Sequence, residues 1–419
     1  MLGPVRILTA SALSSALAAL PPDPAGPRVV VSGNQAVPWQ LLKLVDEALP
    51  AYRLFVLNAP KGVPDREGVV LETPFVGPGM RDSARLDYVP ARLSLVPVLF
   101  TTTRPPDVVV LQVSAPRDGT VSMGTEVNIM PAAVDAVRAR GGLVVAQVNR
   151  HMPYTYGDGV LALAEIDLAL EADEALPAPP VRPSDPTSEA IGARVAELVH
   201  HGATLQLGIG GVPDATLSSL VDRRALKIWT EMISDGVLGL ERAGALDPDA
   251  TVTTSFLFGS QELYDWVDRN PRLRVLRTET TNNPAMIARQ RKMTSVNTAL
   301  QVDLFAQANA SRRPDVPGRV YSGFGGQTDF IVGALHSPGG LAVIALPSMH
   351  PRAGVSTVVP ILGAPATSFQ HSHIVSEQGV ARVWGSGQDS QARHIVDEVA
   401  HPSVRCELRE AAGRLGLRV

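Results

Sequence analysis

Cysteine is nearly absent from this sequence: Cys406, close to the C-terminal end, is the only one in 419 residues. One thiol cannot close a disulfide, so nothing points to an oxidising compartment. Lysine is almost as scarce, at positions 43, 61, 227 and 292, and arginine supplies the rest of the 37 basic residues. These mix with 41 acidic residues to a net charge of −4. No basic stripe stands out, which argues against a nucleic-acid partner. A run of about 18 apolar residues, as a membrane span requires, is also missing. Ile7 to Leu20 follows Arg6 in the manner of a weak signal peptide. Thr9, Ser11, Ser14 and Ser15 interrupt it, and a helix explains it better. A cytoplasmic protein is expected.

Three chemical signatures are lacking as well. A dinucleotide fold wants G-x-G-x-x-G, but Pro213 occupies the place of the third glycine after Gly208 and Gly210. The histidines are scattered, and neither His200-His201 nor His371 with His373 has further ligands at zinc spacing. No metal is expected. The nearest approach to a serine-hydrolase elbow, Gly385-Ser386-Gly387, lacks the strand-to-helix context.

What the chain does hold is 45% hydrophobic residues with 36 Gly and 35 Pro, the composition of a loop-rich α/β protein. Its length suits two domains. Val29-Val30-Val31 leads into Gly33 and then Val37-Pro38 ahead of a helix from Trp39 to Ala48. The order returns 175 residues later: a strand from Thr204 to Leu207, Gly208, Val212-Pro213 and a helix from Asp214 to Val221. Two related halves follow from this repeat. Between them Pro177–Pro186 carries five prolines in ten residues, which can continue neither helix nor sheet. The expected domains are therefore 1–176 and 187–419, joined by a linker over 177–186. Asp107–Val113 and Gly142–Val148 read as strands covered on both faces, with a helix from Pro131 to Arg140 between them. Strand, helix, strand with polar Gly-bearing loops predicts open, largely parallel sheets. The tail from Gln391 to Leu417 reads as helix broken at His401-Pro402.

The whole pattern centres on Ile228-Trp229-Thr230-Glu231-Met232-Ile233, an apolar run with one carboxylate at a strand end. A buried charge is costly unless the site satisfies or uses it. Glu231 is thus a candidate nucleophile, against the alternative of a structural carboxylate capping the next turn. Gly208-Ile209-Gly210-Gly211 lies between strand and helix, where backbone amides can meet an anion or simply turn the chain. Gly323, Gly325 and Gly326 form the densest glycine cluster, suited to an oxyanion-binding backbone or to a tight turn. Asn282 and Asn283 offer side-chain amides that can polarise a carbonyl or cap a helix, and Gln147 and Asn149 carry the same ambiguity.

Taken in order, these segments resemble the acetyl-CoA hydrolase/transferase family of class I CoA-transferases. The resemblance spans nearly the whole chain. It runs through Val113–Pro116 with Gly119 and Gly124, Gln147–Asn149 with Met152-Pro153 and Gly157-Asp158, and Gly208–Pro213. It continues through Trp229–Met232, Thr281–Pro284, Gly323–Phe330, Val375–Ala381 and Ala400–Pro402. It implies two related α/β domains with the active site in the cleft between them. Glu231 then matches the family nucleophile, Gly325 and Gly326 the backbone oxyanion element, and Asn282 the amide that polarises the thioester carbonyl. Glu377 matches a second active-site carboxylate. Gly208, Gly210 and Gly211 match a loop near bound CoA, and Gly323, Gln147 and Asn149 join them as residues that bind substrate or CoA. Family members commonly carry a basic residue where this chain has Thr357, within Ser356–Pro360.

The chemistry implied is movement of CoA between a short-chain acyl-CoA and a small carboxylic acid through glutamyl intermediates. No tightly bound cofactor is expected, and CoA enters as substrate. A homodimer is compatible with the resemblance. Acyl-CoA hydrolysis, and a CoA-binding protein with impaired turnover, are the alternatives.

Overall fold

The computed structural model describes residues 6–178, 184–208, 210–316, 318–364, 366 and 368–419. Residues 179–183 of the proline-rich run, Ile209, Pro365 and Thr367 lie outside the described residues. The chain folds into two units, Met1–Pro180 with Val252–Thr281, and Val181–Thr251 with Asn282–Val419. The segment 252–281 thus groups with the N-terminal part of the sequence. Backbone bridges from Glu126 to Phe256, Asn128 to Arg277 and Gly157 to Val275 hold it there. Bridges of this kind leave no side-chain pattern for a sequence reading to find.

The first unit is built on eight parallel strands: β1 (Arg6–Ile7), β2 (Arg28–Val31), β3 (Tyr52–Val56), β4 (Val69–Thr73), β5 (Leu86–Tyr88), β6 (Val108–Val113), β7 (Leu143–Asn149) and β8 (Leu168–Ala172). Their order is β5-β4-β3-β2-β6-β7-β8-β1. All residues of β2, β6 and β7 are buried, as β-branched strands covered on both faces should be. The helix Trp39–Ala48 connects β2 to β3, and Met130–Ala139 connects β6 to β7.

The second unit repeats that plan with β9 (Thr204–Leu207), β10 (Lys227–Trp229), β11 (Met293–Thr298), β12 (Leu341–Ala345), β13 (His373–Val375) and β14 (Val380–Arg382). These six stand in the order β10-β9-β11-β12-β13-β14 within a sheet of eight strands. The strands run parallel except for β14, which is antiparallel to β13. The helix Gly211–Ser218 follows β9, and Gln327–His336 joins β11 to β12. So β9, β10, β11, β12 and β13 stand in the same relative order as β2, β3, β6, β7 and β8. Gly33 and Gly208 occupy one topological position, directly after the first strand of that set. The two units differ at the sheet edge, where β1 precedes its set in sequence and β14 follows its own.

In both sheets the chain leaves the first strand to one side and later returns on the other. Such a reversal opens a crevice at the carboxyl ends of the strands, where α/β folds place their ligands. In the second unit that point lies at the ends of β10, β9 and β11. Among the described residues no helix is long and apolar enough to cross a membrane.

Candidate active site

Glu231 sits in the bend between β10 and the short strand Met232–Ile233. The neighbouring Thr230, buried, fixes the bend by donating its hydroxyl to Leu207 O at 3.3 Å and Met232 O at 3.0 Å. This ties the Glu231 backbone to the end of β9. The glutamate is partly buried, and its Oε2 accepts from Asn282 Nδ2 at 2.8 Å. The amide of Gly326 also donates to it.

Gly326 opens the helix Gln327–His336. Its φ of −95° suits any residue, so backbone freedom does not explain the glycine. Space does. A Cβ built there would fall 1.9 Å from Glu231 Oε2 and 2.2 Å from Asn282 Nδ2. The carboxylate, the amide and the helix start are packed so closely that only hydrogen fits between them. Gly325, at φ +54°, supplies the left-handed step that turns the chain into the helix. Gly323 is buried in the same loop.

Burial raises the Glu231 carboxyl, the Asn282 hydrogen bond opposes it, the negative charge of Asp329 raises it further, and the Gly326 amide lowers it. The balance pushes its pKa up to about 7. Near neutral pH the group is therefore divided between a protonated form and a basic carboxylate, the form that attacks carbonyl carbon.

Asn282 and Asn283 part company in the fold. Asn283 Oδ1 accepts from Ala285 N at 2.9 Å and caps the short helix Pro284–Ala288, while Asn282, fully buried, reaches Glu231. The capping reading holds for Asn283, and the Asn282 amide is turned to the Glu231 carboxylate instead.

Gly208 lies at the end of β9, between the strands that deliver Glu231 and lead toward Gly326. Nothing would meet a Cβ at Gly208 or Gly210, so this edge of the sheet is open around them. Gly211 answers to packing instead, because a Cβ there would come within 2.8 Å of Ser188 Oγ.

Glu377 follows β13, four strand positions from β10. At ~4.8 Å per strand this places the two strand ends roughly 19 Å apart along the sheet. Ser348 binds the Glu377 carboxylate with its hydroxyl and, at 2.9 Å, with its amide, and Gln378 Nε2 adds a third donor at 3.2 Å. Burial would raise the Glu377 carboxyl, but these hydrogen bonds prevail and hold it below the usual range. It is an ionised anchor between the ends of β12 and β13. Thr357 lies beside the same turn, buried, with its hydroxyl on Pro347 O at 2.5 Å and its amide on Ser348 O. The position where the resemblance implies a basic residue is here a turn-fixing hydroxyl.

Gln147 and Asn149 belong to the first unit and point inward. Gln147 Oε1 accepts from Leu41 N at 3.1 Å near the start of the helix Trp39–Ala48, and its Nε2 donates to Glu174 at 2.7 Å. Asn149 Nδ2 donates to Gln112 Oε1 at 2.9 Å and Glu174 O at 2.7 Å. Both are fully buried, and these bonds fasten strand ends to one another. Among the residues singled out from sequence, the structure brings together Glu231, Asn282 and Gly326. Asp329 was passed over, although a carboxylate three positions after a glycine cluster that opens a helix was its signal.

Comparison with known proteins fits this arrangement. The acetyl-CoA hydrolase/transferase N-terminal domain matches residues 70–180, and the acetyl-CoA hydrolase/transferase C-terminal domain matches residues 259–412. The 4-hydroxybutyrate coenzyme A transferase of Clostridium kluyveri is 39% identical over 348 residues, covering 79% of each chain. The succinyl-CoA:acetate/propanoyl-CoA:succinate CoA transferase of Fasciola hepatica is 32% identical over 413 residues, covering 92% of this chain and 84% of its own. The crystal structure of RipA from Yersinia pestis superposes with a TM-score of 0.89 at 27% identity, over 99% of this chain and 98% of that one.

Proposed function

The chain belongs to the acetyl-CoA hydrolase/transferase family, and from that premise we propose that it transfers CoA from a short-chain acyl-CoA to a carboxylic acid, with Glu231 as the covalent nucleophile. The observation that carries this reading is the Glu231 carboxylate, oriented by Asn282 and by the Gly326 amide where no side chain fits. The ionised carboxylate attacks the thioester carbonyl, and the C–S bond breaks to give an acyl-glutamyl anhydride and CoA thiolate. The thiolate then attacks the glutamyl carbonyl, releasing the free acid and leaving a glutamyl-CoA thioester. An acceptor carboxylate runs the two steps in reverse, so the thioester energy is conserved. Backbone and amide donors around Glu231 stabilise the oxyanion in each step, and such a donor contributes about 3–4 kcal/mol in other acyl-transfer enzymes. Exclusion of water separates transfer from hydrolysis.

The test is incubation with acyl-CoA alone, followed by borohydride, which reduces a thioester but not a carboxylate. Expected are loss of activity only after acyl-CoA exposure, and a modified peptide containing Trp229-Thr230-Glu231-Met232. The Glu231→Gln variant should neither label nor turn over, a loss of more than about a thousandfold. Steady CoA release without any acid would assign a hydrolase instead. Labelling at another carboxylate would keep the reaction and discard Glu231.

A further inference from the structure

In the register of β9 with its two neighbours, Leu205 pairs with Ile228 of β10 and Leu207 with Val296 of β11. Continued to the strand ends, that register sets Gly208 between Glu231 on one side and Asn297 on the other, all on one face of the sheet. One step back along β9 the same face carries Gln206, paired with Ser295. Gln206 is 4% exposed, and its carboxamide is held in one orientation. Asn297 Nδ2 donates to Ser295 Oγ at 2.8 Å and to Gln206 Oε1 at 3.3 Å. The Ser295 hydroxyl donates its own hydrogen to Gln206 Oε1 at 2.7 Å. The oxygen of Gln206 is thus held toward β11, and Nε2 is turned away from it with no hydrogen-bond partner among the described residues. A donor so deeply buried is costly to leave over unless something takes it.

Gly208 marks where that partner lies. Its φ is outside the left-handed region and a Cβ there would meet nothing within 4 Å, so neither backbone nor packing asks for glycine. A side chain would instead fill the open space over the sheet between Glu231 and Asn297. We propose that Gln206 is a further substrate-binding residue, its Nε2 donating across that space to the carbonyl oxygen of the CoA amide nearest the sulfur. Ser295 and Asn297 are its positioning residues. The proposal rests on the reading of Glu231 given above. Gln206 and Glu231 stand one strand and two residues apart, about 8 Å between Cα atoms. In a thioester held at Glu231, the first amide carbonyl follows two methylenes and a nitrogen beyond the sulfur, a reach of that order. The thioester oxygen falls to the donors around Glu231, which leaves this amide as the next acceptor along the substrate. Gln206, Ser295 and Asn297 are all neutral, which suits an amide carbonyl better than the carboxylate of the acid.

The experiment compares kcat/KM for the acetyl thioesters of N-acetylcysteamine, of its ketone analogue with a methylene in place of the nitrogen, and of pentanethiol. The first carries the amide of CoA, the second keeps only its carbonyl, and the last has neither. In the wild type the amide and the ketone should each exceed the alkyl thioester by about tenfold or more. In Gln206→Met that gap should close, the loss falling on the two thioesters that carry the carbonyl. A drop by one common factor for all of them would overturn the proposal and leave Gln206 a structural residue. Should the Met variant fail to fold, Gln206→Glu at alkaline pH keeps the oxygen that Ser295 and Asn297 hold and puts an acceptor in place of Nε2. The gap must close there too, and a gap that survives would overturn the proposal. A wild type that handles the ketone and alkyl thioesters alike would overturn it without any variant. Absence of acyl-dependent labelling by acetyl-CoA in the wild type would instead defeat the reading of Glu231 itself, so the two failures are distinguishable.

Discussion

A Cβ at position 326 would lie 1.9 Å from one oxygen of Glu231 and 2.2 Å from the Asn282 nitrogen, well inside van der Waals contact. The helix start cannot retreat freely, because Phe330 N donates to Gly326 O and Thr328, Asp329 and Phe330 are buried behind it. Glu231 must move instead. For Gly326→Ala the expected outcome is a loss of about a hundredfold or more in kcat/KM, the usual penalty for misplacing a reacting group by an ångström. The melting temperature should fall little, since the displaced group is a side chain at the sheet edge. An alanine variant retaining most of its activity would mean that the Glu231 carboxylate does not need this position. The residue scale also marks the limit of a sequence reading. Adjacent asparagines look alike in sequence, yet Asn283 caps a helix and Asn282 holds the carboxylate. Only the direction of the chain at Pro284 separates them.

The elements themselves were more legible. The helix Trp39–Ala48 and the strand Thr204–Leu207 fall where the sequence puts them, because apolar spacing and flanking Gly and Pro state their ends. The helix after Gly208 begins at Gly211 rather than Asp214, since Pro213 fits the first turn of a helix as well as it ends one. The segment leading into β13 was the least legible, and it stores a pH dependence. His371 is 2% exposed beside Phe369, ring centroids 5.0 Å apart and nearly perpendicular, and neither ring nitrogen makes a well-formed hydrogen bond. Burial pushes its pKa down to about 4, with the Ala306 backbone offsetting only part of the effect. In the unfolded chain the same imidazole takes up its proton near 6.5. The unfolded state therefore binds more protons between those values, so this contribution to stability is intact above pH 6.5 and lost as pH falls toward 4. The full loss amounts to about 3 kcal/mol. Melting temperature measured from pH 7 to 4 should fall less steeply for His371→Leu than for the wild type. Parallel acid limbs for the two proteins would show that His371 is not the group responsible.

At the scale of the molecule, the repeat seen in the sequence reflects a shared sheet order, and the two units part within the proline run, between Pro180 and Val181, but that is not their only boundary. Residues 252–281 lie in sequence inside the second unit and pack with the first. Their attachment goes beyond the backbone bridges already described. Tyr264 is 1% exposed in a cluster with Ala36, Met152 and Leu176, and its hydroxyl donates to Pro177 O at 2.9 Å. Tyr154 N donates to Asp268 Oδ1 at 2.8 Å, and Arg277 pairs with Asp135 at 2.8 Å. A fragment ending at residue 180 loses all of these partners at once. Ala36, Met152 and Leu176 would then face water, and the amides of Tyr154 and Asp158 would lose their acceptors. Burying a large aromatic and its neighbours is worth several kcal/mol, a sizeable fraction of the stability of any domain. The expected outcome is that residues 1–180 alone melt without a sharp transition and bind a hydrophobic dye. Fusing 252–281 to their end through a flexible linker should restore cooperative unfolding. If the fragment 1–180 already melts as sharply as the fusion, the eight-stranded sheet is self-sufficient and the inserted segment is an ornament on it. A restored transition would instead show that the first unit is completed by sequence borrowed from beyond the linker, which no cut at the proline run can supply.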